Sequence, residues 1–181
     1  MIVALAGRRI DAIDAEQIHF PLKNIEAVKE KLRKLFIFLK PKVLVCSGAC
    51  GADLLALQVA GETGIRRSMI LPFETAIFRR RSVTDRPGDW GELFDRLCEE
   101  VDKEEKVEIL NYPDSDDVYE MANIEILKRA VHLSEKFDSV KEIKTVIVWE
   151  GIPKDTTDAT AHFKKEAEKI GFITEEINTV N

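Results

Sequence analysis

The sequence predicts an α/β protein with a three-layer fold: a mostly parallel central sheet flanked by helices. Three observations predict it. The apolar runs Ile2 to Ala6, Val43 to Cys46 and Thr145 to Trp149 read as strands buried on both faces, as in a parallel sheet. Longer stretches with apolar residues at helical spacing lie between the strands. Strand and helix alternate along most of the chain, which makes the connections right-handed crossovers.

Each element follows from a local pattern. Ile2 to Ala6 is a central strand, ended by Gly7-Arg8-Arg9. Ile10 to Pro21 is a loop. Lys23 to Leu39 is an amphipathic helix with Ile25, Val28, Leu32, Leu35 and Leu39 on one face, stopped by Lys40-Pro41. Val43 to Cys46 is the second strand, and Ala52 to Ala60 the helix after it, with Gly61 and Gly64 near its end. Arg66 to Leu71 is a strand closed by Pro72-Phe73, and Glu74 to Arg81 a short helix. Ser82 to Asp89 is a polar loop, Trp90 to Val101 a helix and Val107 to Leu110 a short strand. Asn111 to Asp114 turns the chain. Asp114, Ser115, Asp116 and Asp117 then cap a long helix whose face is Val118, Ala122, Ile126, Ala130 and Leu133. Glu135 to Lys144 is a polar connection. After the strand Thr145 to Trp149 comes the loop Glu150 to Asp155. A helix follows over Thr156 to Ile170, capped by Gly171, and then an edge strand over Phe172 to Ile177.

Composition bounds what the chain does. Its 181 residues suit one domain, 1–181, with room for a sizeable core. The net charge of -6 argues against general nucleic-acid binding, which needs a basic face. No run reaches the length of a membrane span, and Ile2 to Ala6 is too short for a signal sequence. The odd number of cysteines, Cys46, Cys50 and Cys98, fits a reducing compartment rather than a disulfide framework. A cytoplasmic location is expected. His19, His132 and His162 have no metal-ligand spacing, so no metal and no cofactor are expected.

The turn from Ser47 to Asp53 is the strongest local signal. Strand, small-residue turn and helix together aim backbone N–H groups at the carboxyl edge of a sheet, a ready anion site. Gly48 and Gly51 let the backbone approach a ligand, and the amides of Ala49, Cys50, Ala52 and Asp53 are the expected donors. The alternative is a tight turn with Asp53 stabilised by the helix dipole. The turn is neither a P-loop nor the Gly-x-Gly-x-x-Gly fingerprint. A crevice is expected beyond four strand ends: Gly7 to Asp11, Ser47 to Asp53, Pro72-Phe73, and Trp149 to Thr160.

Several motifs occur together in a familiar order. Ala6-Gly-Arg-Arg-Ile-Asp11 resembles the strand-Gly-x-Arg-x-Asp opening of SLOG (SMF/DprA-LOG) domains, which are Rossmann-like and bind nucleotides. Ser47-Gly-Ala-Cys-Gly-Ala-Asp-Leu-Leu-Ala56 looks like their Ser-Gly-x-x-x-Gly-(Ala/Ile)-Asp turn. Ile70-Leu-Pro-Phe73, with Phe78 and Ser82-Val83, is similar to their third-strand signature. Trp149-Glu-Gly151 with Thr156-Thr-Asp-Ala-Thr160 sits where they open the last helix with Gly-Gly-Thr. The resemblance implies a Rossmann-like fold and a small-molecule ligand that is a phosphate-bearing nucleotide or nucleotide derivative, NAD- and ADP-ribose-like compounds included. Some relatives are phosphoribohydrolases that cut a nucleoside monophosphate at its N-glycosidic bond. That branch has Pro-Gly-Gly-x-Gly-Thr-x-x-Glu, whereas here the paired glycines are missing and Thr160 stands three after Thr157. Whether the chain is an enzyme stays open; an interaction scaffold with a decayed pocket is the third reading. A homodimer paired through helices is expected of such domains.

The remaining candidates are side chains at the strand ends. Arg8 or Arg9 is placed to take a phosphate with a bidentate fork, or to make a surface salt bridge. Arg79, Arg80 and Arg81 form a solvated face, or one of them, Arg79 or Arg80, points into the crevice as a second anion contact. Gly151, Thr156, Thr157 and Thr160 make a second phosphate site, or the threonines simply cap the helix. Pro72, Phe73 and Trp149 flank a base, or the aromatics belong to the core. Tyr119 and Asn123, one helical turn apart, face the pocket or the helix surface. Cys50, near a helix N-terminus, has the position of a favoured thiolate, but no base is evident nearby and it reads as a small turn residue. Asp53, Glu74, Glu150 and Asp158 are the acids available to a hydrolase.

Overall fold

In a computed structural model, which describes residues 1–105, 107–137 and 142–181, the side chains of β1 (Ile2–Gly7) divide between two cores. Val3 and Leu5 point to one and Ile2, Ala4 and Ala6 to the other. This is the alternation of a strand covered on both faces. The neighbours repeat it: β2 (Val43–Cys46), β3 (Arg66–Leu71) and β5 (Ile143–Trp149). Two short or outer strands, β4 (Glu108–Ile109) and β6 (Ile173–Asn178), complete the sheet in the order β4-β3-β2-β1-β5-β6. Every pairing among the described residues is parallel. The fold is therefore three-layer, α/β and Rossmann-like.

One face of the sheet carries α1 (Ile25–Leu39), α2 (Ala52–Glu62), α3 (Thr75–Ser82) and α4 (Trp90–Glu104). The other carries α5 (Val118–Lys136) and α6 (Ala159–Lys169). Helix α1 buries Val28, Leu32 and Phe36 at four-residue intervals. It ends at Lys40, whose left-handed backbone (φ 48) lets its N–H reach the Phe36 carbonyl at 2.8 Å. Helix α2 is buried nearly all round, from Ala52 to Leu57 and again at Val59 and Ala60, because α1 and α4 enclose it. The connection after β1 crosses one face and that after β5 crosses the other. β1 and β5 are thus the topological switch point, where such sheets bind ligands.

Three boundary expectations need correction. Helix α6 begins at Ala159, not Thr156, because the Asp158 carboxylate accepts from the amides of Thr160 and Ala161 at 2.9 and 3.3 Å. Asp117 precedes α5 but makes no side-chain cap, and Asp114 pairs instead with Arg81 at 2.8 Å. The strand expected over Val107 to Leu110 shrinks to the pairing of Glu108 and Ile109 with Ile70 and Leu71. Within the polar connection Glu135 to Lys144, residues 138–141 lie outside the described residues. No helix among the described residues is long and apolar enough to cross a membrane.

Gly51 shows why the central turn needs glycine. Its φ is +93, and a Cβ there would stand 2.7 Å from the Arg8 carbonyl oxygen. The close approach expected toward a ligand is thus toward the chain's own β1–α1 turn. Gly48 likewise faces Met69 and Phe94, each 3.2 Å from an added Cβ. Gly51→Ala is expected to destabilise the protein by about 2 kcal/mol or more, from positive-φ strain plus the clash. A urea midpoint unchanged from wild type would contradict this.

Candidate functional site

A cavity of about 360 Å³ opens beyond the carboxyl end of β1. Its walls come from the Gly7–Asp11 turn, the loop on to His19, the turn before α2, the ends of α3 and α5, and the segment from Lys154 to Thr160. Of the four strand ends expected around it, those after β1 and β2 and the later part of the one after β5 line it, whereas Pro72-Phe73 and Trp149 do not. Of the residues singled out from sequence, Gly7, Arg8, Arg9, Ser47, Ala49, Asp53, Thr157 and Thr160 line it, as do Tyr119 and Asn123.

Arg8 is not free to bind a ligand. It is 3% exposed, and its guanidinium is spent on internal acceptors. Nε and Nη2 reach Glu150 at 2.6 and 3.0 Å, Nη1 reaches both oxygens of Asp158 at 2.6 and 2.7 Å, and Nη2 also reaches the Ile152 carbonyl at 2.8 Å. Burial alone would lower its pKa, but the hydrogen bonds to Glu150 and Asp158 outweigh burial and raise it. Burial would raise the pKa values of Glu150 and Asp158, and Arg8 reverses that, so both lie below the ordinary carboxylate range. Glu150 also meets His19 Nδ1. The cluster ties the β1–α1 loop to the β5–α6 loop. Of the two readings of Arg8, phosphate fork or surface salt bridge, the salt bridge holds, but as a buried strut rather than a surface pair.

The backbone cradle expected at Ala49 to Asp53 is also largely committed. The Cys50 amide donates to the Ser82 carbonyl at 3.0 Å and the Ala52 amide to the Arg8 carbonyl at 3.1 Å. The Ala49 amide donates to the Asp53 carboxylate at 3.2 Å. Asp53 itself is 7% exposed and lines the cavity. Among the described residues no cation pairs with it. Burial, opposed only by the Ala49 N–H, pushes its pKa up to about 7. A buried, uncompensated carboxyl in a cavity is costly unless it has a use. The Cys50 thiol is buried and raised to about 11, mainly by that burial. It is no thiolate, and Cys50 does not line the cavity.

The other candidates have structural partners. Arg79 holds Asp95 of α4 at 2.8 and 3.0 Å and lies over Gly91, where a Cβ would stand 2.5 Å from its Nη2. Trp149 is buried in the core under α6, with its Nε1 donating to Glu176 at 2.8 Å. Phe73 is buried edge-on to Tyr119, ring centres 6.2 Å apart, and the Pro72 carbonyl accepts from the Tyr112 amide. Gly151 and Thr156 lie exposed in the β5–α6 loop. Thr157 bonds Asp155 through its amide and hydroxyl. Glu74 is exposed at the start of α3.

Further lining residues are held by partners of their own. Asp11 accepts from the amides of His19 and Phe20 at 3.0 to 3.2 Å and closes the loop between them. The Ser82 and Tyr119 hydroxyls sit 2.9 Å apart, and Asn123 donates to the Ala159 carbonyl at 2.8 Å. Arg86 and Lys154 also line the cavity. The Lys154 ammonium is lowered by shielding within its loop and by the charge of Arg8. Among the described residues no group of His, Cys, Asp and Glu is arranged to hold a metal ion. No family model matches the chain, and no curated protein matches it.

Proposed function

We propose that the chain binds a phosphate-bearing nucleotide, or a derivative of one, in the cavity beyond β1. The observation that carries the reading is the cavity's place at the switch point between β1 and β5. Its lining suits such a ligand. Leu5, Phe78, Ala122 and Ile126 offer apolar surface, Asp53, Ser47 and Asn123 offer polar partners, and Arg9, Arg86 and Lys154 offer positive charge. Its volume of about 360 Å³ lies toward the small end of ligand pockets. It encloses about one nucleoside phosphate unit, so a dinucleotide such as NAD would extend from the mouth. The ordered motifs that resemble SLOG domains support the same ligand class. The test is equilibrium binding of AMP to wild type and to Asn123→Trp, whose indole fills the cavity from α5. Binding by wild type and its loss in a variant with an unchanged circular dichroism spectrum is expected. Equal binding by both would reject this cavity as the site.

Asp53 favours a second reading, an N-glycosidic hydrolase. Of the four acids available, Glu150 and Asp158 are both engaged by Arg8 and Glu74 is outside the cavity. Asp53 remains, and a carboxyl titrating near the working pH suits general acid–base chemistry. The expected result is release of free base from AMP by wild type and a fall of about a hundredfold or more in Asp53→Asn. No release by wild type would reject the hydrolase and leave the binding reading standing.

A further inference from the structure

Two arginines on this cavity compete for one carboxylate. Arg9 follows β1, and Arg86 lies in the loop between α3 and α4. Both line the cavity and both are half-buried. Arg9 Nη1 takes the two Asp85 oxygens at 2.9 and 2.8 Å and the Arg81 carbonyl at 3.1 Å. Arg86 comes second: its Nε stands 3.5 Å from Asp85 Oδ2. That Nε is closed off from solvent and has no hydrogen-bond partner among the described residues. Buried N–H groups are rarely left so, because each forfeits its hydrogen bonds to water. A guanidinium N–H is a strong donor to oxyanions. The charge count leads the same way. Two guanidiniums against one carboxylate leave a positive charge uncompensated, at side chains only 26% to 32% exposed, where screening is weaker than in bulk water. The neighbouring cluster shows the contrast, since there one guanidinium, Arg8, faces two carboxylates, Glu150 and Asp158.

We propose that Arg86 and Arg9 together hold a single compact oxyanion of the ligand, and that Asp85 is a built-in competitor for the same donors. The proposal rests on the nucleotide reading for the identity of that oxyanion, a phosphate ester. It assigns the anion to side chains rather than to the amides of the Ser47 to Asp53 turn. It also makes Asp85 a determinant of affinity: an incoming phosphate must displace it. A neutral nucleoside gains nothing at this end of the site and need not displace it.

The two variants predict opposite signs. Asp85→Asn keeps the shape but removes the competing charge, so it is expected to bind AMP several-fold more tightly than wild type. Arg86→Ala is expected to bind AMP about tenfold or more weakly, the value of one charged hydrogen bond. Adenosine is expected to bind all three proteins alike. Calorimetric titration of AMP, adenosine and inorganic phosphate into the three proteins reads this out. The tightening in Asp85→Asn cannot come from a folding defect. AMP bound equally by all three proteins would overturn the proposal while leaving the nucleotide reading intact. Inorganic phosphate bound with the same order of affinities, but no AMP or adenosine, would support the arginine pair and reject the nucleotide. No binding of any of the three compounds would overturn both.

Discussion

Replacing Asp53 with asparagine is expected to stabilise the protein, by a margin that grows with pH. In the folded chain burial raises the Asp53 pKa from 3.8 to about 7. The folded state therefore holds a proton that the unfolded state has already released. A group raised in this way costs stability as pH rises from its unfolded value through its folded one. Above pH 7 the cost is about 4 kcal/mol, from a gap of about three pH units at 1.36 kcal/mol each. Asparagine keeps the shape, and its side-chain oxygen still accepts from the Ala49 amide, but it never ionises. At 2–4 °C per kcal/mol for a chain of this size, the melting point of Asp53→Asn should exceed wild type by on the order of 10 °C at pH 8.5. Near pH 4 the two should almost coincide. Melting curves for both proteins across this range check it, and parallel curves would show that Asp53 is not an uncompensated buried acid. A substitution that stabilises the fold while weakening the site marks a residue kept for function.

Arg8→Met is expected to have the largest effect in the other direction. It leaves the Glu150 and Asp158 side chains, 8% and 2% exposed, as buried charges without their cation. Breaking such a cluster from one side costs about 3–5 kcal/mol, or on the order of 10 °C in melting point. The pH dependence is opposite to that of Asp53. Glu150 and Asp158 lie below their ordinary values of 4.5 and 3.8. Their stabilisation is present above those values and is lost as pH falls through the folded ones. The penalty of Arg8→Met should therefore shrink toward pH 4, where the orphaned carboxylates take up protons. Arg8→Met combined with Glu150→Gln and Asp158→Asn should recover part of the loss at pH 7. A single variant melting within a degree or two of wild type at pH 7 would refute the strut. Together the two groups give wild type an acid limb set by the cluster and a loss of stability, set by Asp53, as pH rises from 3.8 to about 7.

The sheet was legible because its signals are local. Val43 to Cys46 and the other central strands are apolar on both faces, and the helix periodicity shows which residues of α1 and α5 turn inward. The cavity's location followed from strand ends alone, which is why Gly7, Ser47 and Asp53 line it. The roles were less legible, because pairing over long sequence distances decides them. Arg8 meets partners 142 and 150 residues away, and no local pattern separates such an arginine from a ligand-binding one. Thr156 and Thr157 offered themselves as helix caps, yet the Asp158 carboxylate took the amides of Thr160 and Ala161. Arg86 was hidden in a polar loop without periodicity, and the cavity wall from Ala12 to His19 was hidden in another.

The central claim is that the cavity beyond β1 takes a phosphate-bearing nucleotide. The most direct measurement is a thermal-shift series of wild type and Asn123→Trp with AMP, ATP, NAD, ADP-ribose and cyclic nucleotides. A ligand at one hundred times its dissociation constant adds about 2.7 kcal/mol, which raises the melting point by roughly 5–10 °C. At least one of these compounds is predicted to do so in wild type and not in the filled-cavity variant. No shift with any of them at millimolar concentration, or an equal shift in both proteins, would contradict the account.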